Sequence, residues 1–165
     1  MLRLLTPDVR IETVLELSVE RLRRMGLGAL LLDVDGTLKN YRAESLRPEV
    51  MAWLDRLRAA GIRLCLLSNG RSRRIGRLAE SIGFPFVSQA CKPLPFGCHR
   101  AMRVLGLTSR QTAVIGDQLF ADVMAARLAG LTSILVRPIH PEEEPWFTRI
   151  KRPLERVLLR KMGGR

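Results

Sequence analysis

Long apolar runs, pairable cysteines and lysine are all scarce in this chain. The longest apolar stretch near the N-terminus, Gly26 to Leu32, ends at Asp33 and is far too short to span a bilayer. The cationic N-terminal residues lead into no long apolar segment and no small-residue cleavage site, so no secretory signal is expected. Cys65, Cys91 and Cys98 cannot all pair and form no metal-ligand doublet. That excludes a disulfide-stapled scaffold and points to a reducing, cytoplasmic setting, with contact to the inner face of a membrane left open. Repeats and low-complexity segments are absent too.

Only four of the 28 cationic residues are lysines, so the formal charge of +12 is almost all guanidinium. Such a surface attracts polyanions: nucleic acid, anionic lipid head groups or phosphorylated substrates. No Lys/Arg block is long enough to be a dedicated tail, and a plainly solvated arginine surface explains the charge equally well. An apolar fraction of 47% over 165 residues is that of one soluble globular domain, residues 1–165.

Apolar patterning gives a regular alternation. Ala29–Leu32, Ile62–Leu67, Phe84–Val87, Ala113–Ile115 and Ser133–Val136 read as five strands. Between them lie helical stripes: Val50, Trp53, Leu54 and Leu57 after Pro48; Ile75, Leu78, Ala79 and Ile82 before Gly83; Cys98, Ala101, Met102 and Leu105 before Gly106; and Leu119 to Ala129. Thr6 to Met25 is expected to be helical, broken near Ser18, and packed outside the sheet. Strands alternating with helices imply a parallel sheet with right-handed crossovers. Ligands of such sheets sit beyond the carboxyl ends of the strands.

Chemistry gathers at those ends. The first strand runs into Asp33-Val34-Asp35-Gly36-Thr37, with two carboxylates at i and i+2. One can attack while the other handles protons, because neighbours push paired carboxyl pKa values apart. The second strand ends in Ser68-Asn69-Gly70 before a helix, a setting for phosphate oxygens. Cys91-Lys92-Pro93 follows the third strand and offers a cation, and Gly116-Asp117-Gln118 with Asp122 follows the fourth. An acidic cluster without Cys or His suits Mg2+ rather than zinc.

In this order and spacing the four segments resemble the motifs of the haloacid dehalogenase superfamily. The resemblance implies a three-layer, Rossmann-like core. It implies Asp33 as nucleophile forming an aspartyl-phosphate, Asp35 as the acid and base, Ser68 and Asn69 at the phosphate, and Lys92 neutralising charge. Mg2+ would be held by Asp33, Asp117 and the backbone carbonyl of Asp35, with Asp122 ligating directly or through water. Only 23 residues separate Asn69 from Lys92, and one helix and one strand already fill them. No cap domain is expected there or between Thr37 and Ile62, so the site is expected to be open.

Further segments extend the likeness over nearly the whole chain: Leu5-Thr6-Pro7-Asp8, Gly116 to Asp122, Leu135 to Ile139 and Glu144 to Arg149. They resemble the YqeG family of capless phosphatases, related to the mitochondrial phosphatidylglycerophosphate phosphatase. The implied reaction is removal of the terminal phosphate to give phosphatidylglycerol. One departure is Gly36, where that family usually has Asn. A phosphatase for a soluble metabolite, or a basic RNA- or ribosome-binding protein with a vestigial site, are the alternatives.

Cys65 and Cys98 read as core thiols. His140 and Glu142 to Glu144 read as a surface loop. Trp146 and Phe147 beside Arg149, Lys151 and Arg152 suit a lipid interface or stacked bases. The plainer reading is a C-terminal helix packed through Trp146, Ile150, Leu154 and Val157. Arg71, Arg73, Arg74 and Arg77 stand either at an anionic substrate or on a solvated face.

Overall fold

A computed structural model describes residues 2–70 and 72–163, with the side chains of Leu2, Ser72, Phe147 and Gly163 not described. The strands are β1 Val9–Ile11, β2 Ala29–Leu32, β3 Arg63–Leu67, β4 Phe86–Val87, β5 Thr112–Gly116 and β6 Thr132–Val136. They form one parallel sheet in the order β1-β6-β5-β2-β3-β4. The helices are α1 Leu2–Leu5, α2 Val19–Arg24, α3 Pro48–Ala59, α4 Ser72–Ile82, α5 Phe96–Leu105, α6 Met124–Leu128, α7 Trp146–Arg149 and α8 Arg152–Gly163.

Alternation along the strands sends side chains into two cores. Leu30, Leu32, Leu64, Leu66 and Ile115 pack with the stripes of α3 and α4, including Trp53, Leu57, Ile75 and Leu78. Leu31, Cys65, Leu67 and Val114 face the other way, onto Cys98 and Ala101 of α5 and Ala125 and Ala126 of α6. Three layers result. Chain order runs outward from β2 as β3, β4 on one side and β5, β6 on the other, with β1 added at the far edge, so the crevice between β2 and β5 is the switch point where ligands bind.

Six strands rather than five is a correction to the sequence reading. Thr6 to Met25 is not mainly helical: Val9–Ile11 pairs in parallel with Ile134–Val136 at the sheet edge. Asp8 fixes that pairing, its Oδ2 accepting from both N and Oγ of Ser133 at 2.8 Å. Thr13 and Glu16 then close a capping box over a single 3-10 turn. The expected break at Ser18 is present, since Ser18 Oγ accepts from Arg21 N as the N-cap of α2.

A second correction concerns the C-terminal stripe. Trp146, Ile150, Leu154 and Val157 are 72%, 66%, 55% and 48% exposed rather than packed. The helix is interrupted between Arg149 and Arg152, so the spacing does not run along one face. Leu158, Leu159 and Met162 make the packing contacts instead, against Leu119, Val123 and Leu135.

Candidate active site

Four strand ends meet at the switch-point crevice, which is about 310 Å³ and lined by Asp33, Asp35, Ser68, Asn69 and Lys92. Asp117 and Asp122 lie beneath it, buried. Two glycines permit the approach of the loops. A Cβ on Gly116 would fall 2.1 Å from Cγ of Asp122, and Gly36, at φ +86°, would place one 2.7 Å from Oδ2 of Asp117. The segment Leu119–Val123 opens as a wide π-type turn rather than the expected α-helix, and this turn carries Asp122 inward.

Lys92 organises the centre. Its Nζ donates to Asp33 Oδ1 at 2.5 Å, Asp122 Oδ1 at 2.6 Å and the Leu67 carbonyl at 3.1 Å. Burial opposes the ammonium charge, but the Asp122 and Asp33 carboxylates outweigh it and raise its pKa, so Lys92 stays protonated. Asn69 holds the Lys92 backbone from both sides: Nδ2 donates to the carbonyl at 2.9 Å and Oδ1 accepts from N–H at 2.8 Å. The side chain expected at the phosphate thus also fixes the lysine, and it lines the crevice. Ser68 Oγ accepts from Gly70 N at 3.0 Å.

Asp33, Asp117 and Asp122 each offer an oxygen within 4.8 Å of the others. Thr37 Oγ1 lies 3.1 Å from Asp33 Oδ2 and 3.4 Å from Asp117 Oδ1, bridging two of them. The Asp35 side chain is not in this cluster.

Asp35 sits at the mouth instead, held by Lys39 Nζ at 2.8 Å and by both terminal nitrogens of Arg74. Burial raises the Asp35 pKa, but the hydrogen bonds from Arg74 and Lys39 prevail and leave it below the usual value. Of the arginine cluster, Arg74 therefore reaches the site. Arg73 and Arg77 are exposed, and Arg71 lies outside the described residues.

Arg152 and Glu144 were not legible as site residues. Arg152 Nη1 donates to the Asp117 carbonyl at 2.6 Å and to Glu155 Oε2 at 3.0 Å, and Nη2 bonds Asp117 Oδ2 and Glu144 Oε1. Glu144, expected on a surface loop, is buried. Five buried carboxylates (Asp33, Asp117, Asp122, Glu144, Glu155) thus stand against three buried cations, Lys39, Lys92 and Arg152, of which Lys39 pairs with Asp35 at the mouth. Desolvation pushes the Asp33 carboxyl up to about 7 and Asp117 well above its usual value, despite Lys92 and Arg152 respectively. An all-oxygen donor set with more buried carboxylates than buried cations around it fits a hard divalent cation.

The family model for haloacid dehalogenase-like hydrolases matches residues 8–130. The chain belongs to this family. The probable phosphatase YqeG of Bacillus subtilis is 30% identical over 153 residues, covering 93% of this chain and 88% of that protein. Phosphatidylglycerophosphate phosphatase 1, chloroplastic/mitochondrial, of Arabidopsis thaliana is 24% identical over 164 residues, 94% of this chain but 47% of that protein. Among solved structures, the 3-deoxy-D-manno-octulosonate 8-phosphate phosphatase of Moraxella catarrhalis, complexed with magnesium, phosphate and KDO, superposes with TM-score 0.56 at 21% identity. That match covers 74% of this chain and 76% of the other. The haloacid dehalogenase fold and a phosphatase activity follow from family membership and these named relatives.

Proposed function

We propose that this phosphatase is Mg2+-dependent, works through an aspartyl-phosphate on Asp33, and acts on phosphatidylglycerophosphate to give phosphatidylglycerol. The observation that carries the reading is the buried Asp33 carboxylate, oriented by Lys92 at the switch-point crevice beside two further carboxylates. Asp33, Asp117 and Asp122 would hold Mg2+ together with the Asp35 carbonyl. The ion would supply charge neutralisation on the phosphoryl oxygens.

The residues divide the reaction between them. Asp33 attacks phosphorus as the ester bond breaks, and the leaving oxygen takes a proton from Asp35. Water then attacks the aspartyl-phosphate, giving its proton to Asp35, and inorganic phosphate leaves with Asp33 restored. In the absence of substrate Lys39 and Arg74 hold Asp35 ionised. A bound phosphate dianion offsets those two cations and raises Asp35 toward protonation. Ser68 and Lys92 receive the phosphoryl oxygens, so positioning and charge account for most of the catalysis.

The lipid substrate is supported by the likeness to the Arabidopsis enzyme and by the net charge of +12. A single capless domain over 1–165 is part of this reading: Asn69 to Lys92 is occupied by α4, β4 and short loops. Among the described residues no helix is long and apolar enough to cross a membrane. The proposed setting is cytoplasmic, with peripheral association at an anionic membrane; nucleic acid is the less favoured partner for the basic surface. The test is phosphate release from detergent-dispersed phosphatidylglycerophosphate beside soluble phosphate esters, with Mg2+ and with chelator. Preferential, Mg2+-dependent release from the lipid is expected. Release confined to soluble esters would assign a metabolite phosphatase instead.

A further inference from the structure

Six of the nine exposed large apolar side chains among the described residues lie on two segments, each of which also lends residues to the lining of the catalytic crevice, and Trp146 and Ile150 line a neighbouring hollow with Arg149 and Arg156. One segment follows Lys92. Pro93 lines the crevice, and Leu94 and Phe96 next to it are 48% and 61% exposed. The other is α7 with the start of α8. Pro145, Thr148 and Lys151 line the crevice, while Trp146, Ile150, Leu154 and Val157 are exposed. Exposed apolar residues scattered singly need no explanation, but six gathered on two segments beside one crevice point to a contact surface.

We propose that this rim is an interfacial docking surface for an anionic lipid bilayer, seating Leu94, Phe96, Trp146 and Ile150 in the head-group region with the crevice facing the lipid. The proposal rests on the lipid-phosphatase reading above and adds which face docks and how. Charge names the occupant. Arg149, Lys151 and Arg156 are exposed on the same segment, and none pairs with a carboxylate among the described residues. Aromatic and aliphatic side chains interleaved with cations suit the water–lipid boundary. Each such cation contributes roughly a fivefold gain in partition to an anionic surface.

Geometry supplies the reason for docking at the rim rather than elsewhere. Asp33 is only 7% exposed, at the floor of the crevice, whereas a lipid phosphate stays in the plane of the bilayer. The reacting groups can meet only if the mouth is brought against that plane. Arg152 ties the start of α8 to Asp117, Glu144 and Glu155, so the docking segment is fixed relative to the carboxylates.

The experiment uses the full chain with phosphatidylcholine vesicles, with and without added phosphatidylglycerol. It compares wild type with Phe96→Ser, Trp146→Ala and Ile150→Ser, none of which touches the catalytic groups. Trp146 and Trp53 are the only tryptophans, and Trp53 is buried with its Nε1 on the Leu17 carbonyl. Quenching by bromine-bearing lipid chains therefore reports Trp146. The expected result is binding to anionic vesicles, quenched Trp146 emission, and at least a roughly tenfold loss of partition in the combined variant. Hydrolysis of a small aryl phosphate should be unchanged.

Absence of vesicle binding at roughly 0.1 M salt, or binding that the substitutions leave intact, would overturn the proposal. So would a dimer, or an RNA complex, that the same substitutions dissolve while vesicles are ignored. Detergent-dispersed phosphatidylglycerophosphate keeps the two readings apart. Hydrolysis there without vesicle docking removes only the docking surface, and docking without hydrolysis removes only the lipid substrate.

Discussion

Arg152 reaches from the first residue of α8 to both the side chain and the backbone carbonyl of Asp117, while the same guanidinium also engages Glu144 and Glu155. A C-terminal helix thereby sets the orientation of a carboxylate that stands at the end of a central strand. Arg152→Lys keeps the charge but cannot serve three carboxylates and a carbonyl at once. It should weaken Mg2+ affinity by about 10–100-fold, as losses behind a metal site do, with the fold retained. Arg152→Ala should cost about 3–5 kcal/mol of stability, because buried carboxylates are left unpaired. Mg2+ titration of turnover and thermal melting check the two effects separately.

Proton linkage gives a second expectation. Burial raises Asp33 to about 7, above the 3.8 of an unperturbed aspartate, in the metal-free protein. Unfolded Asp33 ionises near the lower value and folded Asp33 near the higher. Stability of the metal-free protein should therefore fall as pH rises through that window. Mg2+ needs the ionised form of Asp33, and of Asp117, which burial also raises, so its affinity should increase as pH climbs through about 7, with proton release on binding. Calorimetric titration in buffers of different ionisation enthalpy measures the release; a pH-independent affinity would count against this coupling.

Asp35 lies at the crevice mouth rather than among the cluster carboxylates, which suits proton transfer. Asp35→Asn should slow turnover by roughly 10²–10⁴-fold with alkyl phosphates. Phosphorylation by an aryl phosphate with a good leaving group should suffer less. Equal losses on the two substrates, measured by rapid mixing, would remove Asp35 from the acid role.

The thiols provide a check on the core. Desolvation pushes Cys65 and Cys98 up to about 12, and both are buried, whereas Cys91 is exposed. At pH 8 only roughly one buried thiol in 10⁴ is ionised. Native protein should take up one equivalent of a thiol reagent quickly and the other two only on unfolding. Rapid uptake of three would contradict the packing of β3 and α5.

Much of this arrangement was legible in the sequence because strands and helices advertise themselves through burial periodicity. Ala29–Leu32, the Pro48 helix and the four polar strand ends stand where their patterns place them. What was missed has one physical cause: its burial depends on a distant partner. Val9–Ile11 is too short for a pattern and becomes a strand through Asp8 and Ser133. Glu144 and Arg152 look like solvated charges until they are brought together on Asp117. Trp146, Ile150, Leu154 and Val157 have helical spacing that the break before Arg152 turns outward. Periodicity alone could not distinguish a packed stripe from an exposed one.

The aspartyl-phosphate is the central claim, and chemical trapping tests it most directly. Enzyme quenched during turnover and treated with borohydride should carry homoserine at position 33, read by peptide mass spectrometry, with none in Asp33→Asn. Homoserine at another aspartate, or Mg2+-dependent turnover by the Asp33→Asn variant, would contradict it.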